Sequence, residues 1–131
     1  MTGAAVVDTS VFIASETESS VQDAPIDEVL VSVVTLAELQ AGVLAADEPS
    51  VRARRLLTLD SLSDMAILPI DERAAFEWAR MRALLAAARR RVNVNDLWIA
   101  ASATAAGLPV VTHDEDFDIL REVAGLEVIR V

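Results

Sequence analysis

The chain has 131 residues, of which 53% are hydrophobic, so it can bury one substantial core but is too short for two ordinary domains. It contains no cysteine, which excludes disulfides, zinc–thiolate sites and thiol nucleophiles, and its 11 basic residues are all arginine, which excludes chemistry that needs a lysine amine. The net charge of −10 argues against a broad basic surface for nucleic acid.

The N-terminal segment predicts a cytoplasmic protein. The residues before Asp8 carry no basic side chain and form a short apolar run, which favours a first strand over a signal peptide. No uncharged apolar run is long enough to span a membrane. We therefore expect one cytoplasmic domain that covers residues 1–131.

Short apolar segments rich in β-branched residues alternate with helical segments, and this alternation predicts an α/β fold with a mostly parallel, five-stranded sheet. The predicted strands are Ala4 to Val7, Glu28 to Ser32, Ala66 to Ile70, Pro109 to Thr112 and Leu126 to Val131. Residues 16–27 are polar and acidic, which indicates an irregular loop or a short helix.

Four helices are predicted from their apolar periodicity and from polar residues that can cap their first turns. In the first of them, Thr35 and Glu38 have the spacing of a capping box. The four helices are expected to begin at Thr35, at Val51, at Asp71, and at Asn93 or Asn95.

Acidic residues recur at one edge of the predicted sheet. Each follows a strand or lies in the first turns of a neighbouring helix, and ligands bind beyond the carboxyl ends of strands in such sheets. The acids are Asp8, Glu38, Asp96, Asp114, Glu115 and Asp116. Carboxylates that share a pocket repel one another unless a cation is present, and a site with only oxygen ligands suits Mg²⁺ or Mn²⁺. Such sites typically serve phosphoryl transfer, so the pattern favours hydrolysis of a phosphodiester.

Every one of these acids also has a purely structural interpretation. Asp8 could cap the turn that follows it, and Glu38 could complete the capping box. Asp96 could favour the dipole of its helix, while Asp114 and Asp116 could be turn residues in an exposed loop. The functional interpretation rests on the number of segments that deliver an acid to the same edge.

Other conspicuous side chains are expected to be structural. His113 is interpreted as a solvated loop residue, and Trp78 and Trp98 as core residues on apolar helix faces. Residues Arg89 to Arg91 leave two interpretations open: a run of charge at a helix end, or a basic edge that holds RNA phosphates.

Four segments together resemble the PIN-domain family, and within it the VapC-type toxins of bacterial toxin–antitoxin pairs. They are VVDTSVFIA at Val6 to Ala14, SVVTLAELQAG at Ser32 to Gly42, VNVNDLWIAASA at Val92 to Ala103 and GLPVVTHDEDFD at Gly107 to Asp118. The resemblance runs nearly end to end. It implies a three-layer α/β/α fold and a Mg²⁺- or Mn²⁺-dependent endoribonuclease that hydrolyses RNA phosphodiester bonds. It also implies a homodimer, a structured RNA substrate such as tRNA or rRNA, and inhibition by a VapB-like antitoxin.

The resemblance further implies which residues form the site. The metal ligands and catalytic residues would be Asp8, Glu38 and Asp96, with the fourth acid at Asp114 or Asp116. Small hydroxyl residues that position the substrate would be Thr9 or Ser10, and Thr112.

Two other classes of protein place a magnesium-binding Asp at the end of a first strand. A haloacid-dehalogenase-type phosphatase needs a second Asp where this chain has Ser10, and it normally uses a lysine; a response-regulator receiver needs a lysine as well. The stronger alternative is a non-catalytic, protein-binding domain of PIN-like fold, in which the acids only organise an interface.

Overall fold

The structure, a computed structural model, describes residues 3–16 and 26–131. Within these residues the chain forms five strands and six helices. In chain order they are β1 (Ala4–Val7), α1 (Thr9–Ser15), β2 (Glu28–Ser32), α2 (Val33–Ala45), α3 (Pro49–Asp60), β3 (Ala66–Leu68), α4 (Glu72–Ala88), α5 (Val94–Ala105), β4 (Val110–Thr112), α6 (Asp116–Ala124) and β5 (Val128–Arg130).

The five strands form one sheet in the order β3-β2-β1-β4-β5, and every pairing is parallel, which confirms the predicted fold class. Strand β1 lies in the middle, where Val6 pairs with Leu30 of β2 on one side and with Val110 of β4 on the other. The chain extends from β1 to β2 and β3 in one direction and continues with β4 and β5 in the other. The carboxyl ends of β1 and β4 therefore flank a switch point of the kind where α/β proteins bind ligands.

Helices cover both faces of the sheet. Because successive strand residues point to opposite faces, Val6 and Val110 pack with α4, α5 and α6, while Val7 and Val111 pack with α1, α2 and α3. Met81, Leu85 and Phe117 belong to the first core layer. This is the expected three-layer arrangement.

The caps of two helices confirm the sequence prediction, and one cap differs from it. The side chains of Asp71 and Asn93 accept backbone hydrogen bonds at the starts of α4 and α5, as predicted. For α2, however, Thr35 was expected at the cap, and the cap is Ser32, whose hydroxyl accepts from Val34 N. The prediction was wrong because β2 runs into α2 with no connecting loop, so the last strand residue caps the helix.

Two helices, α1 and α6, were not predicted. Helix α1 has only seven residues and follows β1 after Asp8 alone, which leaves a very short window for periodicity. Helix α6 begins at Asp116, so the loop expected around Asp114 to Asp116 is shorter than predicted. The third and fifth strands are also shorter than predicted, and residues 17–25 of the predicted irregular segment lie outside the described residues.

The two tryptophans join helices α4 and α5 from a half-buried position, and Trp78 packs against the core, as predicted. Their rings are stacked, with centroids 4.9 Å apart, and Arg82 lies over the Trp78 ring at 5.5 Å. None of the described helices is both long enough and apolar enough to cross a membrane.

Candidate metal centre

The candidate site lies at the carboxyl end of β1 and β4. Asp8 directly follows β1, and Asp114 and Asp116 follow β4. Glu38 comes from α2 and Asp96 from the first turn of α5. Four segments of the chain therefore contribute acids to this edge of the sheet, as the sequence pattern indicates.

Asp8 is buried, with 2% of its surface exposed. One carboxylate oxygen, Oδ2, accepts hydrogen bonds from Ser10 Oγ at 2.7 Å and Thr112 Oγ1 at 2.9 Å, and a longer one from Ser10 N at 3.4 Å. The other oxygen, Oδ1, is buried without a hydrogen-bond partner among the described residues. Burial raises the pKa of Asp8 above 3.8, although these hydrogen bonds act in the opposite direction.

The same hydroxyls connect Asp8 to the loop after β4. Ser10 Oγ accepts from His113 N at 3.1 Å, and Thr112 Oγ1 accepts from Asp114 N at 2.8 Å. Asp114 Oδ1 in turn accepts from Asp116 N at 2.9 Å. Each hydroxyl thus donates to Asp8 and accepts from the loop, which fixes the loop relative to the first strand.

Glu38 is held by a second set of polar contacts. Thr9 Oγ1 donates to Glu38 Oε1 at 2.8 Å and lies 2.9 Å from the hydroxyl of buried Thr35. Asn95 Nδ2 donates to Glu38 Oε2 over 3.4 Å. Glu38 therefore faces α1 and α5 instead of turning back to form the predicted capping box. Thr35 was missed as a residue of the site, although its spacing of three residues from Glu38 placed both on one helix face.

Asp96, Asp114 and Asp116 are gathered most closely. Each offers a carboxylate oxygen, and these three atoms lie within 4.8 Å of one another. Burial raises the pKa of Asp96 to about 7, helped by the negative charges of Asp8, Asp114, Glu38 and Asp116. Burial, followed by the charges of Asp114 and Glu115, also raises the pKa of Asp116. Asp8 and Glu38 are thus near enough to Asp96 to interact with it electrostatically, although neither belongs to the group of three.

The residues fit a hard divalent cation. All the donors are oxygens, and the unpartnered Oδ1 of Asp8 is a buried acceptor that a cation would satisfy. Without a cation, burial and the neighbouring negative charges hold the pKa of Asp96 at about 7. When a cation is bound, its positive charge would offset the repulsion among the carboxylates.

His113 has a structural role in the described chain. Its Nδ1 lies 2.7 Å from the carbonyl oxygen of Val131, and its own carbonyl accepts from Arg130 at 3.1 Å. The side chain is half-buried, and His113 lies in the loop after β4, as expected. These contacts pin the loop that carries Asp114.

We expect Thr112→Val to destabilise the protein by about 1–3 kcal/mol, because it leaves the backbone N–H of Asp114 without a partner and removes one of the hydrogen bonds that Asp8 Oδ2 accepts. Urea unfolding would measure the change. Thr104→Val is a matched control, since Thr104 is half-buried on α5 and makes no side-chain hydrogen bond with the described residues. Equal free energies of unfolding for the two variants would contradict the prediction.

The sequence of this chain matches a known protein family. A family model described as the PIN domain matches residues 5–123, a span that contains all five acids. The chain belongs to the PIN-domain family. This PIN domain is 54% identical to Ribonuclease VapC5 of Mycobacterium tuberculosis over 98% of the chain and 96% of that relative. It is 43% identical to Ribonuclease VapC4 of the same organism over 91% of the chain and 92% of the relative.

Solved structures agree with this grouping. The PIN domain matches a crystal structure of VapBC-5, a member of the VapBC family of toxin–antitoxin systems from Mycobacterium tuberculosis. The TM-score is 0.90 at 50% identity, and the match covers 98% of this chain and 99% of the other. VapBC2 from Rickettsia felis, solved with a promoter DNA fragment, gives a TM-score of 0.82 at 21% identity over 97% and 98% of the two chains, which extends the likeness of fold alone.

Proposed function

We propose that this chain is a metal-dependent endoribonuclease toxin that hydrolyses phosphodiester bonds in RNA. The site would hold Mg²⁺ or Mn²⁺ through Asp8, Glu38, Asp96, Asp114 and Asp116. The protein would act in the cytoplasm as a homodimer, on a structured RNA such as tRNA or rRNA, and a VapB-like antitoxin would keep it inactive.

One observation carries the proposal. Acids from four separate segments converge at the switch point of the sheet, where burial and then the charges of the neighbouring acids raise the pKa of Asp96 to about 7. Burying carboxylates that repel one another costs free energy, and a bound cation would offset that cost. Held by Asp8, Glu38, Asp96, Asp114 and Asp116, a divalent ion would supply activation of a water and stabilisation of the charge that develops on the phosphate.

The chain's own residues prepare the site for that ion. Ser10 and Thr112 direct one oxygen of Asp8 toward themselves, which leaves its other oxygen available. Thr9 and Asn95 fix the two oxygens of Glu38. The hydrogen bond from Asp116 N holds Asp114 against the start of α6. Ligands whose orientation is set before the ion arrives lose little conformational freedom on binding.

The relatives support the nature of the substrate and the partner. Two proteins with 54% and 43% identity to this chain carry the name ribonuclease, and the structure with the 0.90 TM-score is a member of a toxin–antitoxin family. A carboxylate site of this kind suits a phosphodiester substrate. The toxin–antitoxin family of the matched structure supports an antitoxin as the inhibitor of this chain.

The decisive experiment measures RNA cleavage by the purified, partner-free protein. We expect fragments with Mn²⁺ or Mg²⁺, none with EDTA, and renewed cleavage when Mn²⁺ is added back. Sequencing the new RNA ends would identify the bond that is cut.

Asp8→Asn, purified in the same way, controls for contaminating nucleases. Cleavage that survives EDTA, or that is equal in the variant, would contradict the proposal. If the protein then still bound an antitoxin-like partner, the non-catalytic, protein-binding alternative would stand in its place.

A further inference from the structure

A cavity lined by arginines lies at the amino end of α5, the helix that also carries Asp96. It has a volume of about 730 Å³ and is formed where α4 ends and α5 begins. Its lining includes four of the 11 arginines of the chain, together with apolar residues from both helices. We call it the arginine pocket, and the residues that define it are Arg82, Arg89, Arg90, Arg91, Val94 and Leu97.

The positive charge in this pocket is incompletely neutralised by the protein. Arg90 forms an exposed ion pair with Glu122 at 3.5 Å, and Arg82 contacts the ring of Trp78. Arg89 and Arg91 make no side-chain hydrogen bond or ion pair with any residue that the structure describes. In a chain of net charge −10, two guanidinium groups left without an acid beside them are available to an external anion.

The backbone at Arg89 adds an independent observation. Its φ of 55° places it in the left-handed region, and outside glycine it is the one residue with positive φ in the described chain. Arg89 N donates to Ala86 O and Arg90 N donates to Leu85 O, the pattern of a helix end at which glycine is strongly preferred. The chain thus carries a strained arginine where glycine would be more stable. This indicates that the arginine side chain has a role that glycine could not fill.

The arginine pocket and the carboxylate site share the first turn of α5. Val94 and Leu97 line the pocket, and Asp96 belongs to the acidic group. The two sites lie on different sides of this turn, but Asp96 follows Arg91 by only five residues, a stretch that spans at most about 18 Å, so both sites are within reach of a single extended ligand of a few nucleotides. A polyanion approaching the carboxylates meets strong repulsion, and neighbouring arginines offset it.

We propose that the arginine pocket binds the RNA backbone next to the phosphodiester that is cut, with Arg89 and Arg91 each contacting a phosphate. This proposal rests on the proposed function, since it identifies how the same substrate is held. Guanidinium groups bind phosphate through paired hydrogen bonds, and a cavity of this size has room for a nucleotide as well as a phosphate. An acidic protein segment is the competing occupant, and the short stretch of chain that joins the pocket to the carboxylate site favours RNA.

The test measures binding without cleavage, so that it remains informative if the chain proves not to be a nuclease. A fluorescein-labelled RNA stem-loop would be titrated with the full chain in EDTA at several salt concentrations. The variants are Arg89→Gly and the pair Arg89→Ala with Arg91→Ala. Arg73→Ala is the matched control, because Arg73 is exposed in the first turn of the same helix α4, at the end remote from the pocket.

We expect the double variant to bind RNA about tenfold more weakly. The slope of log affinity against log salt should fall by about 1.4, since each phosphate contact to a single strand contributes about 0.7. Arg89→Gly should weaken binding and also raise Tm by about 3 °C, because glycine relieves the left-handed strain. If Arg89 were needed only for folding, its replacement would not give a protein that is more stable and yet binds RNA more weakly. Arg73→Ala should change neither quantity.

Three results would overturn the inference. The first is RNA binding by the double variant equal to that of the unaltered chain, or no measurable binding by either. The second is an equal loss in Arg73→Ala, which would reduce the effect to net charge. In a parallel titration with labelled poly-glutamate, the third is loss of poly-glutamate binding by the double variant while its RNA binding is retained, which would assign the pocket to an acidic protein.

Discussion

Asp96→Asn is expected to lower kcat/KM for RNA cleavage by more than about 100-fold. Losing a residue that only hydrogen-bonds to a metal ligand costs up to about 100-fold, and losing a proposed ligand should cost more. Asp96 is central to the acidic group, and asparagine keeps its shape but removes the charge that attracts a cation. Calorimetric titration with Mn²⁺ should show a matching loss of metal affinity. Asp64→Asn, at an exposed turn remote from the site, should leave cleavage and metal affinity unchanged.

The same substitution should stabilise the metal-free protein. A pKa raised from 3.8 to about 7 corresponds to roughly 4 kcal/mol of unfavourable free energy once the group is ionised. Because Asp96 is partly exposed, solvent screening reduces this, and we expect a gain of about 2 kcal/mol at pH 8 in EDTA. Urea unfolding would detect it. An Asp96→Asn protein that cleaves RNA normally, or that is less stable than the unaltered chain in EDTA, would contradict the assignment of Asp96 as a ligand.

The free energy of unfolding of the metal-free protein should fall as the pH rises from about 4 to about 7. In this window the unfolded chain has an ionised Asp96, while the folded chain keeps it protonated, so unfolding releases a proton. Below pH 3.8 both states are protonated, and above pH 7 both are ionised, so this contribution is constant outside the window. Asp8 and Asp116 have pKa shifts of the same sign and add to the effect.

Urea unfolding in EDTA at intervals of one pH unit would measure this dependence. Its slope should approach about 1.4 kcal/mol per pH unit at most for Asp96, and Asp96→Asn should flatten it. With saturating Mn²⁺ the dependence should reverse, because the metal binds the deprotonated carboxylates and its affinity rises toward pH 7. Identical pH profiles for the unaltered chain and Asp96→Asn would show that Asp96 does not carry the shift.

The effect of Asp96→Asn and the pH dependence of stability have the same cause, which is the cost of burying ionised carboxylates close together. The metal-free site stores electrostatic repulsion within a fold whose hydrophobic layers are well packed on both faces of the sheet. Loss of the ion should therefore weaken the protein without changing its architecture, and substitutions that abolish activity should stabilise it. A substitution that lowers activity and raises stability distinguishes a functional acidic cluster from residues that serve only as helix caps.

Local patterns were sufficient where neighbouring residues decide the structure. The alternation of strands and helices predicted the parallel sheet, and the caps at Asp71 and Asn93 were confirmed because capping depends on the next three residues. The same patterns failed at Ser32 and for α1, where a strand passes into a helix with almost no connecting residue. The position of such a junction depends on how β2 and β1 pair in the sheet.

The sequence by itself therefore determined the class of fold, the order of its strands and the presence of an acid after several of its elements. Only the tertiary structure decided that Asp96, Asp114 and Asp116 share one space, that Glu38 turns to Thr9, and that the arginines at the end of α4 open into a cavity. The reason is physical. Secondary structure follows from contacts a few residues apart, whereas the pKa of Asp96 and the shape of a pocket depend on distances between atoms that only packing of the whole chain sets.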